Sequence, residues 1–227
     1  TIAASNNANH LEGFGLPLEG FINIERDNID KLLGALDEST AAILIEPIQG
    51  EGGINVFDTD FLKKVETIAR KKDILLILDE VQSGMGRTGK LFAHELFNIK
   101  PDIMSLAKGL GGGFPVGACL MKDSVANAMN PGTHGSTFGG NPLAMAVGNC
   151  VTDIVSDPIF LADVEKKANL FHKNLTEIAS EYPSVISKIK GLGLMIGIKC
   201  KIENSILSNE LYDNGILTVN AGDNVIR

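Results

Sequence analysis

Three short apolar runs each stop at a residue that can do chemistry. "AAILI" at 41–45 ends in Glu46, "ILLIL" at 74–78 ends in Asp79, and "IMSLA" at 103–107 ends in Lys108. A glycine-bearing loop follows each of them. Two carboxylates and one amine at the ends of buried runs can hold a proton, move a proton or attack a carbonyl carbon. A lysine used in this way must shed its proton part of the time, which free lysine in water does not do. The backbone after Lys108 is nearly bare, with glycine at 109, 111, 112 and 113, so it can pass close to a bulky partner without side-chain clashes.

The elements that must position these groups read as an α/β arrangement. The three runs are short, apolar and bounded by breakers, as in strands buried on both faces. Residues 58–72, "DTDFLKKVETIARKK", carry Phe61, Leu62, Val65, Ile68 and Ala69 at helical spacing. Asp58 or Thr59 can cap that helix, and bases gather at its end. "VGACLM" at 116–121 is a fourth candidate strand. Strands alternating with helices predict a mostly parallel sheet flanked by helices. Past about residue 141 the pattern changes. Helices are predicted over 142–155 and 158–181, broken by "SDP", with one or two strands in 185–199, a helix over 203–214 and a strand at "ILTV" 216–219. The expected division is 1–145 for part of a large α/β domain and 146–227 for a linking helix and part of a smaller α+β C-terminal domain.

Composition excludes several classes. The net charge is −8, with 28 acidic residues against 20 basic, and no basic run of five or more appears. Neither a nucleic-acid partner nor an anionic membrane surface is expected. No apolar stretch approaches the roughly 20 residues of a membrane span. The three cysteines lie far apart and the four histidines show no metal-ligand spacing, so no protein-bound metal and a reducing cytoplasmic setting are expected. The stretch "GMGRTGKL" at 84–91 nearly spells a phosphate-binding loop, but Leu91 stands where a magnesium-holding Ser or Thr is needed. "GLGGGF" lacks the dinucleotide spacing, since Phe114 occupies the third glycine position. The start at Thr1 and the end directly after "VIR" lead us to expect a fragment.

An aldehyde cofactor solves the lysine problem by joining the amine covalently. Pyridoxal 5'-phosphate is such a cofactor, and a buried carboxylate must keep its ring nitrogen protonated. Lys108 and Asp79 suit the two tasks. The chain also resembles the class III pyridoxal-phosphate-dependent aminotransferases of the ornithine/acetylornithine group. The matching stretches are "LIEPIQGEGG" (44–53), "LLILDEVQSGMGRTGKLFAHE" (75–95), "PDIMSLAKGLGGGFPVGA" (101–118), "GTHGSTFGGNPLA" (132–144) and "LTVNAGDNVIR" (217–227).

That resemblance implies a fold-type I transferase and a homodimer with its site at the interface. It implies that Lys108 binds the cofactor and moves the proton, and that Asp79 partners the ring nitrogen. Val81 would pack on one ring face and Gln82 would lie near the ring hydroxyl. Ser136 and Thr137 would reach the cofactor phosphate across the dimer interface. Arg227 would hold a substrate carboxylate, with Glu46 pairing to it and gating it between two substrates. The implied reaction moves the δ-amino group of N-acetylornithine to 2-oxoglutarate, in arginine biosynthesis. Ornithine, succinylornithine or 4-aminobutyrate as donor stay open, as does a truncated non-catalytic chain. In the family a phosphate-binding loop, a ring-stacking aromatic residue and a second substrate arginine precede the stretch corresponding to Thr1, so about half a complete site is expected here.

Overall fold

The computed structural model describes residues 2–5 and 8–227. The chain divides into two units, Thr1–Ala41 and Ala42–Arg227. The first unit holds α1 (Ile2–Ser5), α2 (Ala8–Leu11) and α3 (Ile29–Ala35). Asn28 starts α3, its side-chain oxygen accepting from the Lys31 amide at 3.0 Å.

The second unit opens with β1 (Ala42–Ile45), a small hairpin of β2 (Ile48–Gln49) and β3 (Asn55–Val56), then α4 (Thr59–Lys72) and β4 (Leu75–Asp79). Next come α5 (His94–Phe97), β5 (Ile103–Leu106), a 3-10 turn (Lys108–Gly111), β6 (Ala118–Met121) and α6 (Asp123–Ala126). Two long helices follow, α7 (Pro142–Val155) and α8 (Pro158–Glu181). The chain ends with the hairpin β7 (Ile186–Leu192) and β8 (Met195–Cys200), α9 (Asn204–Asp213), β9 (Asn220–Ala221) and β10 (Val225–Ile226).

The main sheet has the order β1-β4-β5-β6. The β1–β4 and β4–β5 pairs are parallel and β6 runs antiparallel on β5. The register sets Ile45 beside Leu78 and Asp79 beside Ser105, so the charged residues after the parallel strands emerge at one end of the sheet. That is the carboxyl end, where open α/β sheets place their ligands.

Helix α4 shows why the elements form where they do. Asp58 caps it by accepting from the Phe61 amide at 2.9 Å, and Arg70, Lys71 and Lys72 lie in the last turn against the negative end of the dipole. Asp73 closes it in the left-handed region at φ 55°. Phe61, Leu62, Val65 and Ala69 form its buried face, and each large apolar side chain so buried contributes about 1.5–3 kcal/mol. One buried acid ties this layer together. Asp102 accepts from the Leu76 amide (2.9 Å), Arg70 (2.5 Å) and Lys122 (2.8 Å), linking α4, β4 and the residue after β6.

The second sheet, β7-β8-β10-β9, is antiparallel throughout. Two expectations need correction. No strand forms at 216–219. Leu217 there is 82% exposed, and within that run only Val219 exchanges backbone bonds with a strand-like neighbour, Arg227. Apolar β-branched composition suits a strand only where a partner edge is available. The fourth candidate strand is confined to 118–121. The glycine loop after Glu46 is the turn of the β2–β3 hairpin.

Candidate active site

Strand alternation sorts the two acids at the end of β4. Leu76, Leu78 and Glu80 follow one another on the buried face, Glu80 being 1% exposed. Asp79 lies on the other face and is half-buried. One of its oxygens accepts from the Val81 amide at 2.9 Å. Glu80 is consumed by structure. It accepts from the Ala93 amide (2.6 Å), the His94 amide (2.7 Å) and the Ser83 hydroxyl (3.1 Å), closing the loop that carries Val81 and Gln82. Burial pushes its carboxyl above the ordinary range, against the pull of those donors.

Lys108 begins the 3-10 turn after β5 and is exposed. Its backbone is left-handed at φ 45°, a costly conformation for a side-chain-bearing residue. Among the described residues its amine meets no hydrogen-bond or ion-pair partner. The next turn needs small residues. A Cβ on Gly109 would lie 3.1 Å from the Met85 Cβ, and one on Gly112, at φ 54°, would lie 3.0 Å from Val151.

Glu46 stands one residue past Ile45, which is in register with Leu78. Its carboxylate accepts from the Gly50 amide at 3.0 Å. Burial raises its pKa and the Asp79 charge adds to the rise, while Lys108 pulls the other way. The three strand-end residues therefore share one electrostatic neighbourhood.

The acid on Arg227 is Glu51, not the Glu46 expected from the sequence. One guanidinium nitrogen of Arg227 donates to Glu51 at 2.5 Å and the other donates to the Gln82 side-chain oxygen at 2.9 Å. The Gln82 amide nitrogen donates to the same Glu51 oxygen at 3.3 Å. Glu46 is spoken for by its own hairpin, and the turn of that hairpin carries Glu51 forward. Partial burial would raise the Glu51 carboxyl, but the bond and charge of Arg227, with the Gln82 bond, outweigh it and hold the group below its usual range. Gly50 makes room for this cluster, since a Cβ there would sit 2.0 Å from the Gln82 side-chain oxygen.

Val81 and Gln82 are half-buried beside Asp79. Ser136 and Thr137 lie apart from this group, on an exposed loop where Ser136 accepts the Gly139 amide through its carbonyl at 3.2 Å. Glu51 and Glu80 are the residues that sequence reasoning passed over. Period-two alternation from Leu76 flags Glu80 as inward. Nothing in residue type separates Glu51 from Glu46. Among the described residues no group of three or more His, Cys, Asp or Glu is arranged to hold a metal, and no single helix is long and apolar enough to cross a membrane.

Comparison with known proteins assigns the chain to a family. Residues 15–227 match the model of the aminotransferase class-III family, and the chain belongs to that family. The fold is that of the fold-type I pyridoxal-phosphate-dependent transferases. Over its whole length the chain is 54% identical to an acetylornithine aminotransferase of Mesorhizobium japonicum, of which it covers 57%. Among solved structures, an N-acetylornithine aminotransferase of Stenotrophomonas maltophilia superposes with a TM-score of 0.83 at 37% identity, over 92% of this chain and 56% of that one. An ornithine aminotransferase of Toxoplasma gondii, described with partial occupancy of pyridoxal phosphate in its active site, superposes with a TM-score of 0.93 at 36% identity, over 100% of this chain and 55% of that one. The chain thus spans little more than half the length of the relatives it matches.

Proposed function

We propose that this chain carries the lysine-bearing part of a pyridoxal-phosphate-dependent aminotransferase that moves the δ-amino group of N-acetylornithine to 2-oxoglutarate, in arginine biosynthesis. The observation that carries the proposal is the placement of Asp79 and Lys108 after adjacent parallel strands, in a chain of this family. The higher identity to the acetylornithine enzyme (54%) than to the ornithine enzyme (36%) favours the acylated donor.

The residues present fit the cofactor. Lys108 offers an accessible amine on strained backbone, and Asp79 offers a half-buried carboxylate that accepts from the Val81 amide of its own turn. When bound, pyridoxal phosphate supplies the electron sink that loosens the proton on the substrate carbon bearing the amino group. Lys108 Nζ would hold the cofactor and, once the substrate amine has displaced it, would take that proton and return it one atom away. Asp79 would hold the proton on the ring nitrogen, Val81 would cover one ring face and Gln82 would lie near the ring hydroxyl. Ser136 and Thr137 serve the phosphate of a second copy's site in a homodimer. Arg227 grips a substrate carboxylate in bidentate fashion. Glu51 takes the gating part toward Arg227, and Glu46 shares the charge neighbourhood of Asp79 and Lys108. In this reading 1–145 belongs to the large domain, 146–227 leads into the C-terminal domain, and the protein works in the cytoplasm.

The test is covalent. The protein, expressed from its complete reading frame, is loaded with pyridoxal phosphate, reduced with borohydride, digested and read by mass spectrometry. A pyridoxyl group on Lys108 is expected. No adduct there, or adducts scattered over surface lysines, would overturn the proposal.

A further inference from the structure

The Glu51–Arg227 pair is built from two loops that are 176 residues apart in the chain, and something must fix their spacing. The backbone gives part of the answer. The Gly222 amide donates to the Glu51 carbonyl at 2.8 Å, and a Cβ on Gly53 would come within 2.4 Å of the Gly222 carbonyl oxygen. Ile54 then plugs into β7–β8, where added Cβ atoms at Gly191 and Gly197 would each meet it at 2.9 Å. Ile54 is 2% exposed and left-handed at φ 50°, a rare conformation for a β-branched residue. Gly197 also floors Val225, at 2.9 Å on the same construction, two residues before Arg227.

A charged link runs beside this apolar plug. The Lys190 side chain, 16% exposed, leaves β7 and donates to Asn55 on β3 at 2.5 Å. The same ammonium reaches Asp223 at 3.4 Å, in the turn before Arg227. Asn55 passes the connection on by donating to the Gly52 carbonyl at 2.8 Å, directly after Glu51. Asp223 and Asn224 are both left-handed, at φ 56° and 52°, so the turn is a tight one. Lys199 also pairs with Asp223, and Asn224 is held by the carbonyls of Cys200 (2.9 Å) and Ile202 (2.7 Å). Lys190 is the cation that touches both halves.

We propose that Lys190 is a positioning residue that spans the Glu51 hairpin and the Arg227 turn and so sets how Arg227 is presented to a carboxylate substrate. This rests on the reading of Arg227 as the carboxylate grip. A largely desolvated ammonium with two polar partners resists drift of either loop, because losing one partner leaves a charge poorly satisfied. A shift of about 1 Å in a gripping group is enough to weaken substrate binding strongly.

The holoenzyme of the complete reading frame is assayed with N-acetylornithine and 2-oxoglutarate, with cofactor saturating. Lys190→Met is expected to raise KM for both substrates about tenfold and to leave kcat within about twofold. Lys190→Arg, which keeps the cation, is expected to bring KM back to within about threefold of the parent. Asn55→Leu removes the hairpin partner of Lys190 while leaving the lysine in place and is expected to give the same KM rise, so the test survives if Lys190→Met does not fold. If both variants keep the parent KM, or lose only kcat, while Arg227→Ala raises KM, the role of Lys190 is overturned. If Arg227→Ala itself leaves KM unchanged, the reading of Arg227 fails and the proposal falls with it.

Discussion

The ends of β4 and β5 and the Glu51–Gln82–Arg227 cluster treat polar groups in opposite ways. At the strand ends, Asp79 receives the amide of its own turn and Lys108 stands exposed. In the cluster, one carboxylate, one carboxamide and one guanidinium bind each other, with the linked Lys190, Asn55 and Asp223 close behind. At the strand ends polar capacity is left open; in the cluster it is mostly taken up, with the buried Arg227 Nε left without a partner. The same contrast occurs across a single peptide bond. Asp79 faces the site end of the sheet, while Glu80 closes a loop with its donors at 93, 94 and 83.

The contrast can be broken at its strongest point first. Lys108→Ala is expected to lower turnover by at least about 10³-fold with the circular dichroism spectrum unchanged, because no internal bond is lost. Undiminished transamination would remove Lys108 from the site. Asp79→Ala comes next, with an expected loss in kcat of about 10²–10³-fold and little change in Tm. Glu80→Ala should show the reverse, a loss of about 2–4 kcal/mol in unfolding free energy as buried amides lose their acceptor, and a much smaller effect on rate. Equal rate losses in the two variants would erase the distinction between open and closed groups.

Asp102 sharpens the comparison on the structural side. Burial alone would raise its carboxyl, but the Leu76 amide, Lys122 and Arg70 outweigh that and hold it below its usual range. A carboxyl depressed in the folded state stabilises the protein above its unfolded pKa of about 3.9, and that contribution fades as pH falls through the folded value. Asp102→Asn is therefore expected to cost about 1–3 kcal/mol near neutral pH and progressively less in acid, as read by denaturant unfolding across pH. A pH-independent difference would show that the charge plays no part. The smallest effect belongs to Asp58→Ala, which removes the α4 cap and should cost about 1 kcal/mol without altering KM.

The sequence by itself determined most of the local structure. The spacing of Phe61, Leu62, Val65 and Ala69 and the cap at Asp58 marked α4, and the "SDP" break at 156–158 separated α7 from α8. Apolar runs ending in charge marked the strand ends at Glu46, Asp79 and Lys108, since short-range periodicity states which face of an element is buried. Partnership is a different quantity. Whether 216–219 finds a strand edge, which way β6 runs, and whether Arg227 meets Glu46 or Glu51 depend on loops brought together from distant parts of the chain. Two glutamates five residues apart have the same side-chain chemistry. Only the fold, by spending Glu46 on the Gly50 amide and carrying Glu51 to the tip of the turn, decides which of them meets the guanidinium.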